Sequence, residues 1–246
     1  MKNRVCRITF SSGGETHYGT GTVAAAIKDP ATSQHDKHVF VISNQHVLSK
    51  PDIVQSLQFG FTDSTNEGTV NVDGEELAEL LNGVFFCHKG VDFAILGVEK
   101  SKLPKLGEYN IVPLKLLNHT IISRDSTFSQ PSPLLGKCYQ HPHGRPLQES
   151  TGVLTGLVKP EDSRPDGLLP GVFVRHGCAT ESGSSGSIIY DCGTPDFKPI
   201  ALHKGSLAAG SGVNVAARMD VIYPAIHEVC GLLPQPCNCQ LLARVI

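Results

Sequence analysis

A chain of 246 residues has material for one large or two small domains, and its 40% hydrophobic and 18% charged residues are the balance of an ordinary globular protein. The net charge of −2 gives no basic excess, so neither nucleic acid nor an anionic membrane is expected as a partner. After Lys2 and Arg4 the run Val5–Phe10 is broken by Cys6, Arg7 and Thr9 and closed by Ser11-Ser12-Gly13-Gly14. It is too short for a signal-peptide core or a spanning helix. With no export segment seen, the eight cysteines (Cys6, Cys87, Cys138, Cys178, Cys192, Cys230, Cys237 and Cys239) are expected as reduced thiols of an intracellular, cytoplasmic or nuclear, protein.

Taken in chain order, short runs rich in Val, Ile, Phe and Thr and bounded by Gly, Pro, Asp or Ser predict strands over Val5–Phe10, His17–Ile27, Val39–Ser43, Val54–Phe61, Val84–Cys87 and Phe93–Val98. The segment Asn118–Pro133, with Ser123, Ser126, Ser129 and Ser132, reads as a linker. A second set of strands follows over Lys137–Gln140, Gly152–Val158, Gly171–Arg175, Ser187–Asp191, Ile200–His203 and Val213–Ala217. Long helical patterns do not alternate with these runs, which argues against a parallel α/β sheet. One helix is expected near the end. Asp220 is its cap, Val221, Ile222, Ala225, Ile226 and Val229 form its apolar stripe, Pro224 sits in its first turn and Gly231 ends it. The expected organisation is residues 1–117, a linker over 118–135, and residues 136–246 carrying the helix and a cysteine-containing tail.

Three places along this chain carry chemistry. Glu181-Ser182-Gly183-Ser184-Ser185-Gly186-Ser187 runs into the strand Ile188-Ile189-Tyr190. It reads either as a flexible Gly/Ser loop or as a tight turn that presents the Ser185 hydroxyl while the Gly183 and Ser185 N–H groups converge on one spot. A nucleophilic serine needs a base, and His46 stands at the end of the apolar strand Val39–Ile42, although a hydrogen-bonded structural histidine is equally compatible with that place. Asp92 opens the apolar run Phe93–Leu96, either as a turn cap or as the carboxylate that fixes an imidazole tautomer. Together they run in the order His, Asp, Ser, with gaps of 46 and 93 residues that put His46 and Asp92 in the first strand set and Ser185 in the second. That order is the one used by chymotrypsin-like proteases.

These residues resemble a known family. Gly19-Thr20-Gly21-Thr22-Val23 followed by Ile42-Ser43-Asn44-Gln45-His46-Val47 is similar to the GTG…TNxHV signature of HtrA-like and glutamyl-endopeptidase-like proteases of the chymotrypsin/trypsin fold (the PA clan). Asp92–Leu96 resembles their D-[IFL]-A-[IVL]-L strand, and Gly183–Ser187 their GNSGS. Tyr139–Gly144 is similar to the GYPxG or GHPxG turn of intracellular eukaryotic members. The resemblance spans Val5 to Tyr223 and implies an all-β fold of two six-stranded antiparallel β-barrels, with peptide-bond hydrolysis by a His46, Asp92, Ser185 triad and a Gly183/Ser185 oxyanion hole. Two departures are visible. Ser184 replaces the Asp of digestive trypsins and no IVGG-like start is present, so their activation salt bridge is absent; Ile188 stands where many relatives have Pro.

Pro199–Ser206 resembles the GIHxGG strand beside the primary pocket. The resemblance implies that His203 pairs with Thr180, five residues before Ser185, to receive Glu or Gln at the cleaved position, while Lys204 and Gly205 offer backbone for strand addition by the substrate. A structural His203 beside a small or apolar pocket is the alternative. His35, His38, His141, His143 and Cys138 lack paired ligand spacing, so no metal is expected; Cys178 reads as a packed thiol and the Cys237-Asn238-Cys239 end as an exposed tail. The expected activity is therefore cofactor-free serine endopeptidase chemistry on a protein or peptide substrate. A non-cleaving peptide-binding module or a latent enzyme on the same fold stays open, and so does the oligomeric state.

Overall fold

The computed structural model describes residues 2–25, 38–48, 58–62, 67–71, 85–99, 114–115, 134–158, 168, 171–193, 197–207 and 211–222. β1 (Val5–Ser12) and β2 (Glu15–Ala25) form a hairpin in which Ser12 faces Glu15 across Gly13 and Gly14. Both glycines have positive φ (61° and 82°), which a two-residue turn matched to strand twist requires. On β1, Cys6, Ile8 and Phe10 are buried while Arg7 and Thr9 between them are partly exposed, the alternation of a half-buried strand.

The first sheet continues through β3 (His38–Ser43), β4 (Gln58–Thr62), β5 (Glu67–Asn71), β6 (Phe85–His88) and β7 (Phe93–Glu99), in the order β5-β4-β1-β2-β3-β7-β6. A two-residue strand, β8 (Leu114–Lys115), pairs in parallel with β2. This corrects the expectation of six antiparallel strands: the described sheet has eight and its path is not closed among the described residues. β5 adds to β4 as an edge, and β8 is too short to carry a periodicity of its own.

The second set closes. β9 (Leu134–Gln140), β10 (Gln148–Leu157), β11 (Phe173–His176), β12 (Ile188–Asp191), β13 (Pro199–Ser206) and β14 (Asn214–Arg218) form a barrel in the order β10-β11-β14-β13-β12-β9. β9 begins at Leu134, inside the expected linker; residues 118–133 lie outside the described residues. One core cluster draws on both sheets: Val5, Ala24, Ile42 and Phe93 pack with Phe173, Ile188, Tyr190 and Leu202. A second fills the barrel with Cys138, Leu154, Val174, Ile189, Ile200 and Ala216.

Residues 219–222 are helical, so the helix starts before Asp220. Asp220 does not cap it; the Arg218 guanidinium takes its carboxylate, with Nε at 2.9 Å from Oδ1. Pro224, Ala225, Ile226, Val229 and Gly231 lie outside the described residues. Among the described residues no helix is long and apolar enough to cross a membrane. Cys6, Cys87, Cys138, Cys178 and Cys192 are free thiols, and burial pushes Cys178 up to about 11, as befits a packed side chain.

Candidate active site

β3 ends at Ser43, and residues 44–48 turn back on themselves through bonds from the Val47 and Leu48 N–H groups to the Asn44 carbonyl, both 3.2 Å. His46 sits in this turn with its side chain 43% exposed, so one face of the ring is open to an incoming molecule. Asp92 closes the turn before β7, with its N–H on the Lys89 carbonyl at 3.1 Å and a left-handed φ of 52°. An Asp tolerates that region better than a branched residue does, at a cost of order 1–3 kcal/mol that the surroundings must outweigh. They do so from both ends: the buried Asn44 amide donates to the Asp92 carbonyl (2.9 Å) and the His46 N–H to Asp92 Oδ1 (3.0 Å).

The result is an imidazole docked on a buried carboxylate. His46 Nδ1 lies 2.8 Å from Asp92 Oδ2 and 3.1 Å from Oδ1. Lys204 Nζ donates to the same Oδ2 at 2.9 Å. Burial works to raise the Asp92 pKa, but the hydrogen bond and charge of His46, followed by the Lys204 ammonium, outweigh it and hold the carboxyl down at about 2.

The Glu181–Ser187 loop is the second half of the site. Gly183 and Gly186 have φ near +90°. A Cβ on Gly183 would stand 2.8 Å from the His141 carbonyl oxygen, and one on Gly186 would stand 2.0 Å from that of Thr20, so the backbone itself demands glycine at both places. The loop is pinned at each peptide: the His143 N–H donates to the Ser182 carbonyl, the Thr20 hydroxyl to that of Gly183 (2.9 Å), the Ser187 N–H to that of Ser184 (3.1 Å), and the Thr20 N–H to that of Ser185 (2.8 Å). Ser184, in place of an acid, is buried and accepts the Glu181 N–H on its hydroxyl at 3.1 Å. A trans peptide points its carbonyl and its N–H in opposite directions. With the Ser182 and Ser184 carbonyls held, the Gly183 and Ser185 N–H groups are turned away from those partners, and neither donates to any acceptor among the described residues.

Ser185 itself is half-buried and donates its hydroxyl to the Lys204 carbonyl at 3.0 Å, not to His46. The structure thus brings His46 and Asp92 into direct contact and joins Ser185 to them through Lys204, whose carbonyl takes the serine and whose ammonium takes the aspartate. His203 is buried, with Nδ1 3.1 Å from Nε2 of His176 and the two rings edge to face. Burial, then the proximity of His176 and His46, lowers the His203 pKa well below the ordinary range, with Asp92 opposing; His176 falls to about 4, chiefly through burial. The pair is neutral at pH 7. Thr180 is half-buried just before the loop, and Gly205 is open, with nothing within 4 Å of the place a Cβ would take.

Sequence reasoning missed His176, Thr20 and the Lys204 side chain. Thr20 had a signal, since it stands inside the Gly19-Thr20-Gly21 signature, but that signature gave it no role of its own. His176 had the weaker one of a histidine on an apolar strand. Lys204 had none, because it meets Asp92 across 112 residues.

No protein-family profile matches this chain and no curated protein matches it. Solved structures do. The HtrA-type protease AlgW with a tripeptide superposes with a TM-score of 0.58 at 12% identity over 93% of this chain; the match takes in 60% of the AlgW chain, so this chain spans about three fifths of its length. The Rv3671c protease from M. tuberculosis in its active form gives 0.57 at 14% identity, covering 91% of this chain and 79% of that one. Deg5 gives 0.54 at 15% identity, with coverage of 92% and 89%. Identities this low speak for architecture alone, and the architecture of this chain is the all-β fold of the HtrA-type, trypsin-like serine proteases.

Proposed function

We propose that this chain is a serine endopeptidase in which Ser185 attacks a peptide carbonyl, His46 takes and returns the proton, and Asp92 orients the imidazole. The observation that carries the reading is the exposed His46 ring docked at 2.8 Å on the buried Asp92 carboxylate, beside a serine turn with two unengaged N–H donors. Transfer of the Ser185 hydroxyl from the Lys204 carbonyl to His46 Nε2 readies the nucleophile. Attack forms the Oγ–C bond as the proton moves to His46. The carbonyl oxygen becomes an oxyanion held by the Gly183 and Ser185 N–H groups, each contributing roughly 2.7–4 kcal/mol. His46 then gives its proton to the leaving amine, and water releases the acyl group by the same steps.

The substrate strand has an edge to join. β12 pairs with β13 only as far as Leu202, so Lys204, Gly205 and Ser206 are unpaired on that side among the described residues, apart from the bond between the Ser185 hydroxyl and the Lys204 carbonyl. That bond favours a second reading, a latent enzyme whose serine is freed when a peptide N–H takes the Lys204 carbonyl. AlgW is described with a bound tripeptide, and an extended peptide of this kind is the ligand the edge fits.

Ser185→Ala is expected to lower turnover about 10⁶-fold with the fold intact. A fluorophosphonate probe labels the wild type and not the variant if the reading holds. An unlabelled wild type, even with peptide added, leaves a peptide-binding module. In the pocket, with Thr180 and a neutral His203 as its polar groups, an amide is received without burying a net charge, whereas a carboxylate is not. Peptide-library profiling should show Gln preferred over Glu near pH 7. A preference for Lys, Arg or Phe overturns the pocket assignment and leaves the triad standing.

A further inference from the structure

Lys204 occupies an irregular place in its strand. The β13–β14 register shifts between His203, opposite Ala216, and Gly205, opposite Val215, so Lys204 is the extra residue of a bulge. Bulges re-aim side chains. Here the bulge follows His203, whose ring meets His176, and the next side chain turns to Asp92. The ammonium sits 2.9 Å from Asp92 Oδ2 and 5.9 Å from the centroid of the Phe173 ring, a wholly buried aromatic whose face attracts a cation. The Lys204 side chain is only 22% exposed, so this is a seated charge and not a surface ion pair.

We propose that Lys204 is a positioning residue of the triad, fixing the Asp92 carboxylate in the plane of His46 and setting, by its charge, the acid limit of activity. The proposal rests on the reading of His46, Asp92 and Ser185 as catalytic. Its physical basis is that Asp92 Oδ2 is shared: one lone pair meets His46 Nδ1 and the other meets Lys204 Nζ. Without the lysine, the imidazolium that forms during attack faces a full, uncompensated carboxylate and is stabilised in the resting enzyme too. With it, the charge that the ring faces is partly balanced, and the carboxylate is held by contacts from two sides. The charged and titratable groups around the pair are His46 on the β3 turn, Lys204 on β13, and the neutral His203 and His176 of β13 and β11. His88, whose Nδ1 accepts the Val91 N–H at 3.2 Å, is the last residue of β6, just before the turn that carries Asp92. Among these groups Lys204 is the only cation that touches the carboxylate.

The test is the pH profile of kcat/KM for wild type, Lys204→Met, Lys204→Gln and Lys204→Arg, together with the NMR titration of the His46 ring in each. Removing the charge should move the acid limb and the ring titration up by about one pH unit. It should also lower kcat about tenfold with KM little changed, because the backbone that meets the substrate is untouched. Arginine should restore both the limb and the rate. Glutamine keeps a donor while removing the charge, and carries the comparison should methionine not fold. An acid limb and ring titration that coincide with wild type in the uncharged variants overturn the proposal. Failure of the fluorophosphonate probe to label the wild type, even with peptide added, overturns the hydrolase reading instead, and the ring titration still decides the role of Lys204.

Discussion

At the scale of single residues, the buried charges and histidines of this site pull stability in separate pH windows. Asp92 is 2% exposed and has four donor contacts on its carboxylate, from the His46 N–H, twice from Nδ1, and from Lys204. Its folded pKa of about 2 lies below the ordinary 3.8. The stability it contributes is therefore complete above pH 3.8 and is lost only as pH falls towards 2. His176 behaves in the opposite chemical sense. Its folded pKa of about 4 lies below the ordinary 6.5, so between these values the unfolded chain binds the proton that the folded pair refuses. Stability contributed by the neutral His176–His203 pair is complete above pH 6.5 and declines from there towards pH 4. Thermal melts should show the midpoint falling across that window, before ordinary carboxylates begin to protonate. His176→Gln should flatten the fall, and an unchanged slope in that variant would remove the pair as its cause.

At the scale of elements, the strands are legible where residues do what their type prefers. All six strands of the closed barrel and six of the first sheet overlap the expected runs, most of which hold Val, Ile or Phe that bury one or both faces. β5 escapes because Glu67-Gly68-Thr69-Val70-Asn71 holds only two adjacent strand formers, Thr69 and Val70, between residues that disfavour strands, and gains its order by pairing with β4. His46, Asp92 and Ser185 are legible for a different reason: each stands at a strand boundary where the apolar pattern stops, which is visible locally. The partner of each is not. That His203 meets His176 follows from β11 and β13 both flanking β14, a tertiary fact. The direction of Lys204 follows from a bulge that strict alternation cannot show, since a bulge is marked by register and not by composition. Even the helix shows the limit: Asp220 has the chemistry of a cap, but Arg218, two residues earlier, competes for its carboxylate and wins with a paired guanidinium contact.

At the scale of the whole molecule, the two strand systems meet on Thr20, and the geometry of the serine loop depends on that meeting. Thr20 is fully buried on β2 of the first sheet. Its hydroxyl donates to the Gly183 carbonyl (2.9 Å) and accepts the His141 N–H (3.0 Å), both groups of the second half of the chain. Its own carbonyl accepts the Ser43 hydroxyl at 2.9 Å, next to the turn that carries His46. A nearby strap, Arg7 to the Gly144 carbonyl at 2.9 Å, joins the same two regions. One threonine thus links the strand leading to His46 with the loop presenting Ser185, which explains why a residue that touches neither side chain sits in a glycine-flanked motif. Thr20→Val preserves shape and removes only the hydroxyl's bonds, leaving a buried N–H and a buried carbonyl unpaired at a cost of about 2–4 kcal/mol in all. Urea unfolding should register that loss. The more telling measurement is the rate of fluorophosphonate labelling. The Ser184 N–H, the Thr20 N–H and the Ser185 hydroxyl keep their own partners, so an intact fold with a loosened Gly183 peptide should label about tenfold more slowly. If the variant loses stability yet labels at the wild-type rate, Thr20 is a structural tie between the two sheets and has no part in aiming the Gly183 and Ser185 N–H groups.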